Sequence, residues 1–90
     1  MSDRAAMIRD RLVAALGPAR IEVVDESHLH AGHAGARDGR GHFRATIIAE
    51  CFAGETAVGR HRLVYSALGE LMRTDIHALS ITALAPGESG

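Results

Sequence analysis

Apolar residues recur along this chain with two different periods. Ala5, Ile8, Leu12 and Leu16 stand three or four apart, with Arg4, Arg9, Asp10 and Arg11 mostly off that stripe. That spacing predicts an amphipathic helix. Ser2 suits its N-cap, and Gly17-Pro18 stops it. Arg20 to Asp25, with Ile21, Val23 and Val24, predicts a short strand. His42 to Cys51 predicts a second strand. In it Phe43, Ala45, Ile47, Ala49 and Cys51 fall on one face, and Arg44, Thr46, Ile48 and Glu50 on the other. Cys51 is thereby expected in the core, as a small buried hydrophobe. Phe52-Ala53-Gly54 predicts a turn. Thr56 then caps a helical stretch over 57–72 whose stripe is Ala57, Val64, Leu68 and Leu71, with Val58, Tyr65 and Met72 alongside. Gly69 is placed to divide it into a longer and a shorter helix. Thr74-Asp75 turns the chain, Ile76 to Leu84 predicts a third strand, and Pro86-Gly87 ends it.

The order is helix, strand, strand, helix, short helix, strand. A three-stranded mixed sheet covered by helices on one face buries these stripes, an α+β architecture. Residues 1–90 are expected to form one domain, with an ordered core over about 3–85 and a flexible tail over 86–90. Residues 26–41 stand apart: they hold Gly32, Gly35, Gly39 and Gly41, three histidines and almost no large apolar side chain beyond Leu29. A connection that long is usually functional or mobile.

Composition narrows the function. Ninety residues exclude a two-lobed enzyme with an interdomain cleft. The formal charge of −1 gives no bulk attraction to nucleic acid or anionic membrane. No apolar run approaches the roughly 20 residues of a membrane span. Asp3 and Asp10 among the N-terminal arginines leave no secretory h-region, so a cytoplasmic protein is expected. The single Cys51 allows neither an internal disulfide nor a Cys-pair metal site. No catalytic triad spacing, Walker motif or dinucleotide loop is present, so a non-enzymatic role is expected.

Histidine is the remaining chemistry, at six of 90 residues. His28, His30 and His33 lie on the glycine-rich connection, where an imidazole could reach a metal or simply be solvated. His77 opens the third strand, on the face of Leu79, Ile81 and Ala83 by simple alternation. It reads either as a half-buried ring bonded to a backbone carbonyl or as a rigid partner for a loop histidine. His61 falls on the helical stripe and is expected to be structural, hydrogen-bonded into the fold. Phe43 and Tyr65 are expected to be structural too. All ten basic residues are arginine, and Arg60, Arg62 and Arg73 are candidates for contact with phosphate or a partner.

Several motifs, in order, resemble the BolA family. These are Asp25-Glu26-Ser27 with His30, Gly41-His42-Phe43-Arg44, Phe52-Ala53-Gly54, Arg60-His61-Arg62-Leu63-Val64-Tyr65 and Ile76-His77-Ala78-Leu79-Ser80-Ile81. The resemblance runs from the first helix to about Pro86. It implies an αββααβ fold related to type II KH domains but without their GxxG clamp. Gly32-His33-Ala34-Gly35 spells GxxG only between the first two strands, the wrong place for that clamp. The resemblance further implies a protein that is a monomer alone and a heterodimer with a monothiol glutaredoxin. The pair would bridge a two-iron two-sulfur cluster, with glutathione on the glutaredoxin side. It implies His77 and His30 as the ligands from this chain, with His33 and then His28 as alternatives to His30. Its other implication is transcriptional regulation through DNA, linked to stress and morphology.

Overall fold

A computed structural model describes residues 3–27 and 40–89. The elements run α1 (Arg4–Leu16), β1 (Arg20–Asp25), β2 (Gly41–Ile48), a 3-10 turn (Glu50–Phe52), α2 (Ala57–Leu68), α3 (Leu71–Thr74) and β3 (Ile76–Leu84). This is the expected order. Asp3, rather than Ser2, caps α1: its carboxylate accepts from the Ala6 N–H at 3.0 Å. A carboxylate also suits the positive end of the helix dipole. Gly17 ends α1 in the left-handed region, at φ 55°, where its N–H reaches the Val13 carbonyl. Thr56 caps α2 as expected, accepting from the Gly59 N–H at 3.0 Å. Gly69, at φ 53°, separates α2 from α3.

The sheet order is β1-β2-β3, with β1 antiparallel and β3 parallel to the central β2. Every second residue of β2 is buried, namely Gly41, Phe43, Ala45 and Ile47, while Arg44 is exposed. One face of the sheet therefore meets the helices. Ile8 and Leu12 of α1, Val64 and Leu68 of α2, Leu71 of α3 and Ile76 of β3 close the core over it. Ile21 and Val23 of β1 and Leu79, Ile81 and Ala83 of β3 pack at its margins.

Three expectations fail locally. β2 ends at Ile48, not at 51, because the chain tightens into the 3-10 turn after Ala49. The two-residue period is lost there, so Cys51 is exposed and Phe52 is fully buried in its place. An aromatic ring removes far more apolar area from water than a thiol does, and it sets the phase of the turn. Ala57 and Val58 are exposed, because the first turn of α2 overhangs the core and the buried stripe starts at Val64. Glu88 of the C-terminal tail is bonded back to the domain. That carboxylate accepts from the Ala85 N–H at 2.8 Å and from the Arg60 guanidinium.

Candidate functional site

The site forms where β3 begins. Gly41 pairs with Ile76, but His42 pairs with Ala78, leaving His77 as the extra residue of a β-bulge. A bulge re-aims the side chain it carries and interrupts the ladder. It also resets alternation: Ile76 faces the core, as Leu79 and Ile81 do, while His77 is exposed. The expected sharing of a face between His77 and Leu79, Ile81 and Ala83 is therefore corrected, and so is a half-buried ring.

Gly41, where the bulge begins, has no room for a side chain. A Cβ there would lie 2.6 Å from the Ser27 hydroxyl and 2.7 Å from the Phe43 ring. The Gly41 N–H instead donates to the Asp75 carbonyl at 2.9 Å, joining the start of β2 to the approach to β3.

His77 has neighbours that the sequence reading did not assign to it. Its ring lies 5.1 Å from that of His42, centroid to centroid, with the planes tilted by 46°. Arg40 Nη2 lies 3.4 Å from His77 Nδ1. The alternation that puts Arg44 on the open face of β2 puts His42 there as well. That signal was legible. The proximity of Arg40 was not, because it depends on the register at the bulge.

The chain on either side of residues 28–39 is fixed at this point. Ser27 accepts from the His42 N–H through its hydroxyl at 3.1 Å, and its own N–H donates to Asp25 Oδ1 at 2.9 Å. The Glu26 N–H donates to the His42 carbonyl at 2.8 Å, and the Glu26 carboxylate pairs with Arg44 at 3.1 Å. A cleft of about 280 Å³, lined by Glu26, His42, Phe43, Ala78, Leu79 and Ser80, opens beside the imidazoles. The segment carrying the loop histidines thus leaves and returns at His42 and His77. His28, His30 and His33 themselves lie outside the described residues, as does the Gly32–Gly35 motif.

The arginine candidates are placed differently from one another. Arg60 is drawn inward, its side chain 15% exposed, donating to the Ala83 and Glu55 carbonyls and gripping Glu88 with two prongs. It is a brace between α2, β3 and the tail. Arg62 is exposed on α2, and Arg73 is exposed on α3, paired with Glu70. Phe43 is in the core as expected. Tyr65 is 42% exposed and lies edge-on to His61, with centroids 6.4 Å apart. The expected hydrogen bond of His61 is absent among the described residues; its contact is the Tyr65 ring.

Fold and site together define a class: a small α+β domain with one helix-covered sheet face and a histidine presented on a strand bulge. Known proteins share the fold. The family model for BolA-like proteins matches residues 12–88. SufE-like protein 1 (chloroplastic/mitochondrial) of Arabidopsis thaliana is 41% identical over 98% of this chain, and protein BOLA1 (chloroplastic) of the same plant is 41% identical over 99%. The DNA-binding transcriptional regulator BolA of Escherichia coli is 40% identical over 82% of this chain and 68% of its own length. The chain spans a quarter of the first relative and 58% of the second. Among solved structures, the BolA domain of SufE1 superposes with a TM-score of 0.85 at 38% identity, covering 99% of both chains. BolA1 of Arabidopsis thaliana superposes with a TM-score of 0.81 at 37% identity, covering all of both chains. The chain belongs to the BolA-like family.

Proposed function

We propose that this protein is an adaptor that binds a monothiol glutaredoxin and shares a two-iron two-sulfur cluster with it. His77 and one histidine of the 28–39 segment would supply this chain's ligands, His30 first, with His33 and then His28 as alternatives. One observation carries the reading. His77 is presented outward by a bulge at the point where both ends of the histidine-bearing connection are fixed.

The donor set fits a shared centre and not a self-contained one. Among the described residues no three His, Cys, Asp or Glu side chains gather to hold a metal ion. Cys51 lies in the 3-10 turn beyond Ile48, the far end of β2, and six strand residues of about 3.3 Å rise put Ile48 itself about 20 Å from His42. Thiolates for a cluster would have to come from a partner, while imidazole ligation of a cluster iron is established chemistry in Rieske-type centres. Because ligation needs an unprotonated ring nitrogen, such a cluster would loosen in mild acid. The cluster would be the cargo or signal of the complex, and the role of this chain is to position imidazoles beside the partner's sulfur.

The test is anaerobic reconstitution with a monothiol glutaredoxin, glutathione, iron and sulfide, followed by visible absorption and circular dichroism. The expected result is a spectrum distinct from that of glutaredoxin alone, lost in His77→Ala and in one of His30→Ala, His33→Ala or His28→Ala. A parent protein that leaves the glutaredoxin spectrum unchanged overturns the reading.

A second reading is a DNA-binding regulator of stress and morphology genes; the name of the Escherichia coli relative favours its DNA-binding, transcriptional part. Here Arg62 and Arg73 are the exposed candidates for phosphate, since Arg60 is engaged with Glu88. Two phosphate contacts would give a logarithmic salt slope of about −2 on duplex DNA. A slope near zero excludes that reading.

A further inference from the structure

The contact between Arg40 and His77 has a direction. A guanidinium carries only N–H donors and no acceptor. The 3.4 Å approach of Arg40 Nη2 to His77 Nδ1 can therefore be a hydrogen bond only if Nδ1 offers its lone pair. The ring proton of neutral His77 then sits on Nε2. This is the reverse of the usual arrangement around a ligating histidine, in which the nitrogen remote from the metal donates its N–H to a carboxylate or carbonyl.

We infer that Arg40 is a positioning residue for His77, a latch that occupies the Nδ1 lone pair and must withdraw before the ring can serve a metal. Both routes to ligation require this. A metal on Nδ1 needs the lone pair that Arg40 holds. A metal on Nε2 moves the ring proton to Nδ1, where it would meet the guanidinium N–H head-on. Arg40 ends the histidine-bearing connection, immediately before Gly41, which is bonded to Asp75 and paired with Ile76. The bulge thus sets residue 40 beside residue 77. Moving Arg40 away takes the guanidinium off the Nδ1 lone pair, and its return restores the contact. The inference rests on the proposed ligand role of His77, and it deepens that role by naming what controls the imidazole.

The experiment uses ¹⁵N-histidine-labelled protein and two-bond ¹H–¹⁵N correlation spectra of the imidazole rings. These report which nitrogen of His77 carries the proton, without any metal or partner. In the parent, His77 is expected as the Nε2–H tautomer. Arg40→Ala should redistribute the proton between the nitrogens, and Arg40→Lys, which restores a cationic donor, should recover the parent pattern. Zn²⁺ alone is then titrated while the His77 ring resonances are followed, with His77→Ala used to assign them. Loss of one weak hydrogen bond predicts a two- to five-fold tighter response of His77 in Arg40→Ala.

A parent His77 protonated on Nδ1 overturns the latch, as does an Arg40→Ala response to Zn²⁺ no tighter than the parent's. If His77 does not respond to Zn²⁺ in any variant, the latch has nothing to gate and falls with the zinc result. The ligand role in the shared cluster is decided separately, by the His77→Ala reconstitution.

Discussion

Arg60 holds the Glu88 carboxylate through two hydrogen bonds, of 2.6 and 3.0 Å, and so fastens the tail to α2 and to the end of β3. A planar guanidinium fork matches a carboxylate in this way, and lysine could not reproduce it. The hydrogen bonds from Arg60 and from the Ala85 N–H pull the Glu88 carboxyl from 4.5 down to about 2. A carboxyl with a depressed folded-state pKa stabilises the fold in full above its unfolded value, and that stabilisation is lost as pH falls through the folded value. Glu88→Gln should therefore lower the melting temperature at pH 7. The gap from the parent should narrow as the pH falls from about 4.5 toward 2. Thermal scans by circular dichroism across that range check it, and a gap independent of pH would deny the ion pair its role.

The phase of the chain after β2 predicts opposite behaviour for two adjacent residues. Cys51 is exposed and Phe52 fully buried. Native protein should react with a maleimide at Cys51 without denaturant, and Cys51→Ser should leave stability within about 0.5 kcal/mol of the parent. Phe52→Leu keeps much of the apolar volume but leaves a void, and should be destabilised by about 1–2 kcal/mol. Urea unfolding with an unchanged slope reads both.

Gly41→Ala should destabilise the fold by about 1–3 kcal/mol, because the added methyl meets the Ser27 hydroxyl and the ring of buried Phe43. The same change should perturb the His77 ring resonances, since the bulge begins at this residue. His77→Ala, on an exposed side chain, should leave unfolding nearly unchanged. Together the two variants separate the shape of the site from its chemistry.

The caps give a matched pair. Asp3→Ala and Thr56→Ala each remove a side-chain acceptor from a helix N-terminus, from Ala6 and Gly59 respectively. Each should cost about 1 kcal/mol in urea unfolding. The Asp3 cost should shrink in high salt more than the Thr56 cost, because only Asp3 sets a charge against the helix dipole.

The sequence by itself determined the main helices and strands, their order and the central part of each buried stripe. Ile8 and Leu12, Phe43, Ala45 and Ile47, and Val64 and Leu68 declare their periods within a few residues, and burying those stripes leaves little choice of layer. It also singled out His77 from the motif that surrounds it. Only the tertiary structure decided where His77 points, which residues meet it, that Phe52 displaces Cys51, and that Arg60 is a brace. Each of these depends on register between segments far apart in the chain. The bulge joins residues 41 and 42 to 76–78, Arg40 reaches His77 across 37 positions, and Arg60 reaches Glu88 across 28. Periodicity is a local signal. A one-residue offset in a strand pairing or a single tight turn reverses which side chains face out, and the packing of the whole core selects among those offsets.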